Sequence, residues 1–115
     1  MSAADSLRNF ITPLLPGWRI QFGRWVDGSK TDRFAVLRPA GGLPAELVRR
    51  PHFTLMLVGA LDQPSGEVSA AANSVIEAMR VSSGDLVFMQ PGEPVYHATD
   101  DGRPVFEIAI TTITN

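Results

Sequence analysis

The chain has 115 residues, ten lysines and arginines against twelve aspartates and glutamates, a formal net charge of −2 and no cysteine. That length suits one domain burying about two thirds of the surface of its unfolded chain, and the lack of cysteine excludes a disulfide framework, a thiolate nucleophile and a thiolate metal site. Lys30 is the sole lysine, so neither the charge balance nor its composition points to specific nucleic-acid binding.

Residues Met1 to Asp5 show no basic segment leading into an apolar run, and no stretch approaches the roughly 20 apolar residues of a membrane helix, so a cytosolic chain with no membrane partner is expected. Ala3 to Phe10 predicts a short helix capped by Ser2, with Ala4, Leu7, Phe10 and Ile11 as its apolar side and Pro13 as its stop. After the turn Leu15-Pro16-Gly17, Trp18, Ile20 and Phe22 recur at period two opposite Arg19, Gln21 and Gly23, the pattern of a half-buried strand. Asp27-Gly28 reads as a tight turn into the strand Phe34 to Leu37, which predicts an antiparallel hairpin between the two.

Residues Arg38 to Pro51 hold three prolines and the adjacent glycines of the turn-prone run Pro39-Ala40-Gly41-Gly42-Leu43-Pro44, and predict a long arm or loop at 38–51. A connection of that length calls for mobility or a partner contact. The stretch Pro51-His52-Phe53-Thr54-Leu55-Met56-Leu57-Val58 follows, apolar on both alternating faces, and predicts an interior strand rather than a short buried helix. Gly66 to Arg80 places Val68, Ala71, Ala72, Val75, Ile76 and Met79 at helical spacing, with Ser65 as cap and Glu67 near the positive end of the helix dipole. Ser82 to Asp85 turns the chain into a strand over Leu86 to Met89 that ends at Pro91-Gly92. Beyond Val95-Tyr96-His97, the turn Asp100 to Pro104 leads into the longest alternating strand, with Phe106, Ile108 and Ile110 in one phase and Glu107, Ala109 and Thr111 in the other. The pieces make an α+β single domain over residues 1–115, a mixed or mainly antiparallel sheet packed by an N-terminal helix and a central helix. Phe53, Leu55, Leu57, Val75, Phe106 and Ile108 are its expected core.

Catalytic chemistry finds little purchase. His97 with Asp100 and Asp101 matches no zinc spacing, and a turn in which Gly102 adopts the left-handed backbone is the better account of those residues. No Gly-x-Ser-x-Gly elbow or phosphate-binding Gly-x-x-x-x-Gly-Lys motif occurs, and Glu67 and Glu77 on one helix do not make an acid–base pair. No catalytic residue, cofactor or metal site is therefore assigned.

Several stretches together resemble the tail terminator, or tail completion, family of long-tailed bacteriophages. They are the N-terminal helix, the strand ending in Phe22, the Gly/Pro-containing arm after Val36-Leu37, and the apolar strand feeding Ala70-Ala71-Ala72-Asn73-Ser74-Val75-Ile76. The closing segment Asp101-Gly102-Arg103-Pro104-Val105-Phe106-Glu107-Ile108 is the most characteristic of them. The resemblance implies a structural virion protein, a homo-hexamer on assembly, whose ring caps the tail tube protein, stops tube growth and meets the head–tail connector or a head completion protein. Its place would be the head-proximal end of the tail, after assembly in the host cytoplasm. Candidate interface residues are Arg38, Arg49, Arg50 and Arg103, whose guanidinium groups suit acidic partner surfaces. A head–tail joining or head completion protein is the first alternative, and a small enzyme or binding module the second.

Overall fold

A computed structural model of the chain describes residues 3–26, 28–29, 31–43, 50–81 and 88–113. The N-terminal segment forms helix α1 (Ala3–Ile11) and runs on into a 3-10 turn at Thr12–Leu14. Pro13 therefore sits inside the tighter turn that ends α1, where its missing N–H costs nothing. Strands β1 (Trp18–Phe22), β2 (Arg33–Leu43) and β3 (Arg50–Val58) precede helix α2 (Ser65–Val81). Strands β4 (Phe88–Pro91), β5 (Val95–Ala98) and β6 (Pro104–Ile113) close the chain. Among the described residues the six strands form one sheet in the order β1-β2-β3-β6-β4, with β5 also on β6.

Strand β3 lies between β2 and β6, antiparallel to both, which is the interior position its two apolar faces require. Its Phe53, Leu55 and Leu57 face a main core formed with Ala35 and Leu37 of β2 and Ile108 and Ile110 of β6. Val68, Ala72, Val75, Ile76 and Met79 give α2 one buried stripe over this face, and α1 adds Leu7 and Ile11 beside it. Of the six expected core residues, Phe53, Leu55, Leu57, Val75 and Ile108 are buried, whereas Phe106 is only partly so. Phe106 stands opposite Tyr96 on β5, with ring centroids 5.2 Å apart, at a margin of the sheet that leaves Tyr96 exposed.

The opposite face is buried at one end only. Phe34, Val36, Met56, Val58 and Val105 form a second cluster there, covered by Trp25 from the connection between β1 and β2. That connection corrects the expected hairpin, because β1 and β2 are parallel, with Trp18 beside Arg33 and Phe22 beside Leu37. Residues 23–32 are long enough to run back along β1, whereas an antiparallel partner needs only a short turn. The Gln21 side chain holds the reversal, its amide donating to the Val26 carbonyl at 2.8 Å while its oxygen accepts from the Val26 N–H at 3.0 Å. At the far end the returning chain is tied to β1 by an Arg19–Asp32 ion pair of 2.8 Å. The predicted turn falls partly on Asp27, which with the Ser2 cap and Leu86-Val87 lies outside the described residues.

The long loop read over residues 38–51 is corrected at both ends, since 38–43 continue β2 and 50–51 begin β3. The pairing slips between Pro39 and Gly42, an irregularity that lets a proline and adjacent glycines remain in a ladder. Residues 44–49, including Arg49, lie outside the described residues.

Arg103 corrects a different expectation. It is fully buried within the chain, and this position removes it from the contact surface proposed for it. Its Nε donates to the Gly59 carbonyl at 3.0 Å and its Nη2 to the Asp32 carbonyl at 2.9 Å. Its guanidinium carbon lies 5.1 Å from the ring centre of Trp25 and 5.5 Å from that of Phe34. A buried charge is tolerated where hydrogen bonds replace its hydration, and here carbonyls and aromatic faces do so. Gly59 is needed at this junction, because a Cβ there would come within 2.7 Å of Val68 and 2.8 Å of Pro104.

The turn before Arg103 matches its reading. The Gly102 N–H donates to the Thr99 carbonyl at 2.9 Å and Gly102 has φ of +88°, while the Thr99 N–H donates to the Arg103 carbonyl at 3.0 Å. This is a type I turn closed by a left-handed residue, a common three-residue hairpin loop.

Two stability predictions follow from this packing. Leu55→Ala should lower unfolding free energy by about 2 to 5 kcal/mol in urea titration, because the site is enclosed on all sides. Arg103→Ala should cost on the order of 3 kcal/mol, since two carbonyls lose a charged donor. In a Trp18→Phe background the same change should shift Trp25 fluorescence to the red as the 23–32 connection loosens, with Arg103→Lys giving only partial recovery.

Candidate interaction surfaces

Alternation along β2, β3 and β6 places Arg38, Thr54, Glu107 and Thr111 on the face away from the helices, beyond the end of the small second cluster. No helix covers them among the described residues. Arg38 donates from Nη2 to Glu107 Oε1 at 3.0 Å, and His97 Nε2 lies 3.8 Å from the same oxygen. The Arg38 and Glu107 side chains keep 39% and 33% of their surface, so the pair remains open to a partner. Of the four arginines singled out from the sequence, Arg38 thus lies on an uncovered face, Arg50 opens β3 and Arg103 is internal.

A second surface is the ribbon made by the outer parts of β2 and β3. Pairing with β1 ends at Leu37 and pairing with β6 begins at His52, so Gly42 and Leu43 of β2 and Pro51 and Arg50 of β3 pair only with each other among the described residues. The molecule is correspondingly elongated, 46 × 25 × 22 Å. A two-stranded ribbon is marginal in water on its own.

The third surface is the pair of sheet margins. Strand β1 is bonded on one side only, and so are β4 and β5, which lie end to end along β6 with the break Gly92-Glu93-Pro94 between them. Exposed apolar residues gather at these margins, Phe22 on β1 and Val95 and Tyr96 on β5. Sequence pattern alone assigned Phe22 to the apolar side of a strand and left Val95 and Tyr96 without a role. Their signal was composition: an apolar pair between Pro94 and a turn, in a segment too short to reach a core.

Among the described residues no arrangement resembling an active centre accompanies these surfaces. His97 faces Glu107 while Asp101 accepts a bond from the Thr99 hydroxyl within the turn, so the two are engaged separately. Among the described residues no group of three His, Asp or Glu side chains is placed to hold a metal ion. An open groove of about 800 Å³ beside α1 is lined by Asp5, Arg8, Asn9, Thr12 and Pro13, a mixed surface rather than an enclosed apolar site. No described helix is long and apolar enough to cross a membrane.

Comparison with known proteins agrees with an assembly role. No curated protein matches the sequence. The sequence profile described as "Phage tail termination protein" matches residues 1–115, the length of the chain. An α+β domain with uncovered sheet margins and a projecting ribbon is thus a structural component of the phage tail, and the chain belongs to the phage tail termination protein family.

Proposed function

We propose that this protein forms a ring of six on the head-proximal end of the tail tube, stops the addition of tube subunits and offers the surface to which the head or its connector attaches. The observation that carries the reading is a subunit with two unpaired sheet margins and a projecting ribbon, in a chain matched throughout by the tail termination family. A ring repeats one heterologous contact, so each copy must offer two different surfaces, and opposite margins of one sheet are such a pair. The β2–β3 ribbon, with Arg38 at its base and Arg50 opening β3 in its outer part, is suited to the tube or the connector, where acidic groups meet guanidinium forks. Assembly takes place in the host cytoplasm, with the tube end aligning subunits whose mutual affinity alone is modest.

Electron microscopy of tails made with and without the protein tests this. With it, tubes end in one additional six-fold ring and join heads; without it they overgrow or fail to join. Tubes of unchanged length that still join heads would exclude a terminator, and a defect confined to the head side would favour a head completion protein. Hydrogen exchange provides a second measurement. Amides in 38–43 and 50–51 should gain protection in tail-bound protein relative to free subunit, and equal exchange in both would remove the ribbon from the contact.

A further inference from the structure

We infer that neighbouring copies join by direct backbone pairing, the outer side of β1 in one copy against the outer side of β5 in the next, so that one sheet continues from subunit to subunit. This rests on the ring reading above and names its subunit contact. The first support is register. Ile20, Ala35, Leu57, Phe106 and Tyr96 occupy one row across the sheet, and Arg19, Phe34, Val58, Val105 and His97 the next. The two margins therefore stand at the same height and run in opposite directions, as an antiparallel junction without axial offset requires.

The direction of the free backbone groups provides the second support. On β1 the Gly23 N–H donates inward to the Leu37 carbonyl at 2.9 Å, and alternation then turns the amides of Ile20 and Phe22 outward. On β5 the inward donation from Thr99 to Arg103 leaves Tyr96 and Ala98 with outward amides. Pairing along the common row sets Ile20 against Tyr96 and Trp18 against Ala98, outward residues in both cases. The side chains of Ile20 and Tyr96 both lie on the helix-bearing face, so the junction keeps the helices of every copy on the same side. A rotation about a ring axis demands that, and a register one residue out would violate it.

Charge gives the third support. The same register carries Arg24, two residues beyond β1, to the neighbourhood of the next copy's Glu93, both exposed, Glu93 also lying 4.0 Å from Arg80 of its own chain. At the other end, Arg33 lies over Gly17, its Nη2 only 2.6 Å from where a Cβ would stand, and meets the next copy's exposed Asp100. At both ends of the junction an arginine of one copy thus meets a carboxylate of the next, which favours head-to-tail joining over the pairing of like margins. Phe22, Val95 and Tyr96 lose their exposed surface to the same junction.

Because the chain has no cysteine, engineered pairs report the contact without background. Arg19→Cys combined with His97→Cys, directly opposite in this register, should give under mild oxidation a ladder of covalent multimers ending at the closed ring. Each single variant should give no species beyond a dimer. Charge exchange provides an independent reading that needs no disulfide: Arg24→Glu or Glu93→Arg alone should reduce ring yield severalfold, and the two together should restore it. Rings that assemble on tubes but yield neither the ladder nor the restoration would overturn the strand junction while leaving the ring intact. Failure of the unaltered protein to form rings, free or on tubes, would overturn both.

Discussion

Arg103 joins parts of the chain that no local rule brings together. Its side chain bonds the end of β3 at Gly59 and the end of the β1–β2 connection at Asp32, while its guanidinium lies against Trp25 and Phe34. Its backbone N–H also donates to the Thr99 hydroxyl oxygen at 3.0 Å, which fixes the β5–β6 turn. The second core cluster depends on this, because Trp25 covers Phe34, Val36 and Val58 only while the connection is held down. A leucine would fill much of the space but leave the buried Gly59 carbonyl and the partly buried Asp32 carbonyl without this donor. The charge is kept for the number and direction of its N–H groups, which a compact ammonium cannot match.

The sheet treats its two faces unequally, and function follows from the difference. One face is closed by two helices and carries most of the buried apolar surface. The other is closed at one end by Trp25 and elsewhere presents Arg38, Glu107 and His97. A small domain thereby obtains its stability from one layer of packing and leaves a polar face, a ribbon and two margins for assembly. Exposed margins invite indiscriminate pairing, which charged residues and prolines restrain. Pro91 at the end of β4, Pro94 in the break before β5 and Arg19 on β1 are residues of this kind.

A ring of the proposed kind must be added once and then refuse another. Strand junctions between its subunits would use margins that are consumed when the ring closes, leaving no free margin for a further copy. What remains available is perpendicular to that contact, and the β2–β3 ribbon is among the features directed away from the sheet. Lateral closure and attachment to the tube or head can therefore rest on different residues, and mutations can separate them.

The amino-acid sequence by itself determined which side chains share a face. Period-two alternation marked β3 and β6, helical spacing marked the buried stripe of α2, and Asp100 to Gly102 specified the turn between β5 and β6. These are local consequences of backbone geometry, expressed within a few residues. Pattern also identified Arg38 and the ends of the 38–51 segment as unlike core, though it read strand as loop because proline and glycine weaken every local strand signal. The tertiary structure alone decided that β1 runs parallel to β2, that Arg103 is internal and that Ile20 and Tyr96 lie on one row at opposite margins. Strand order and direction are set by contacts between distant residues, as when Arg103 reaches a carbonyl 71 positions away, and an isolated segment carries no record of its partner.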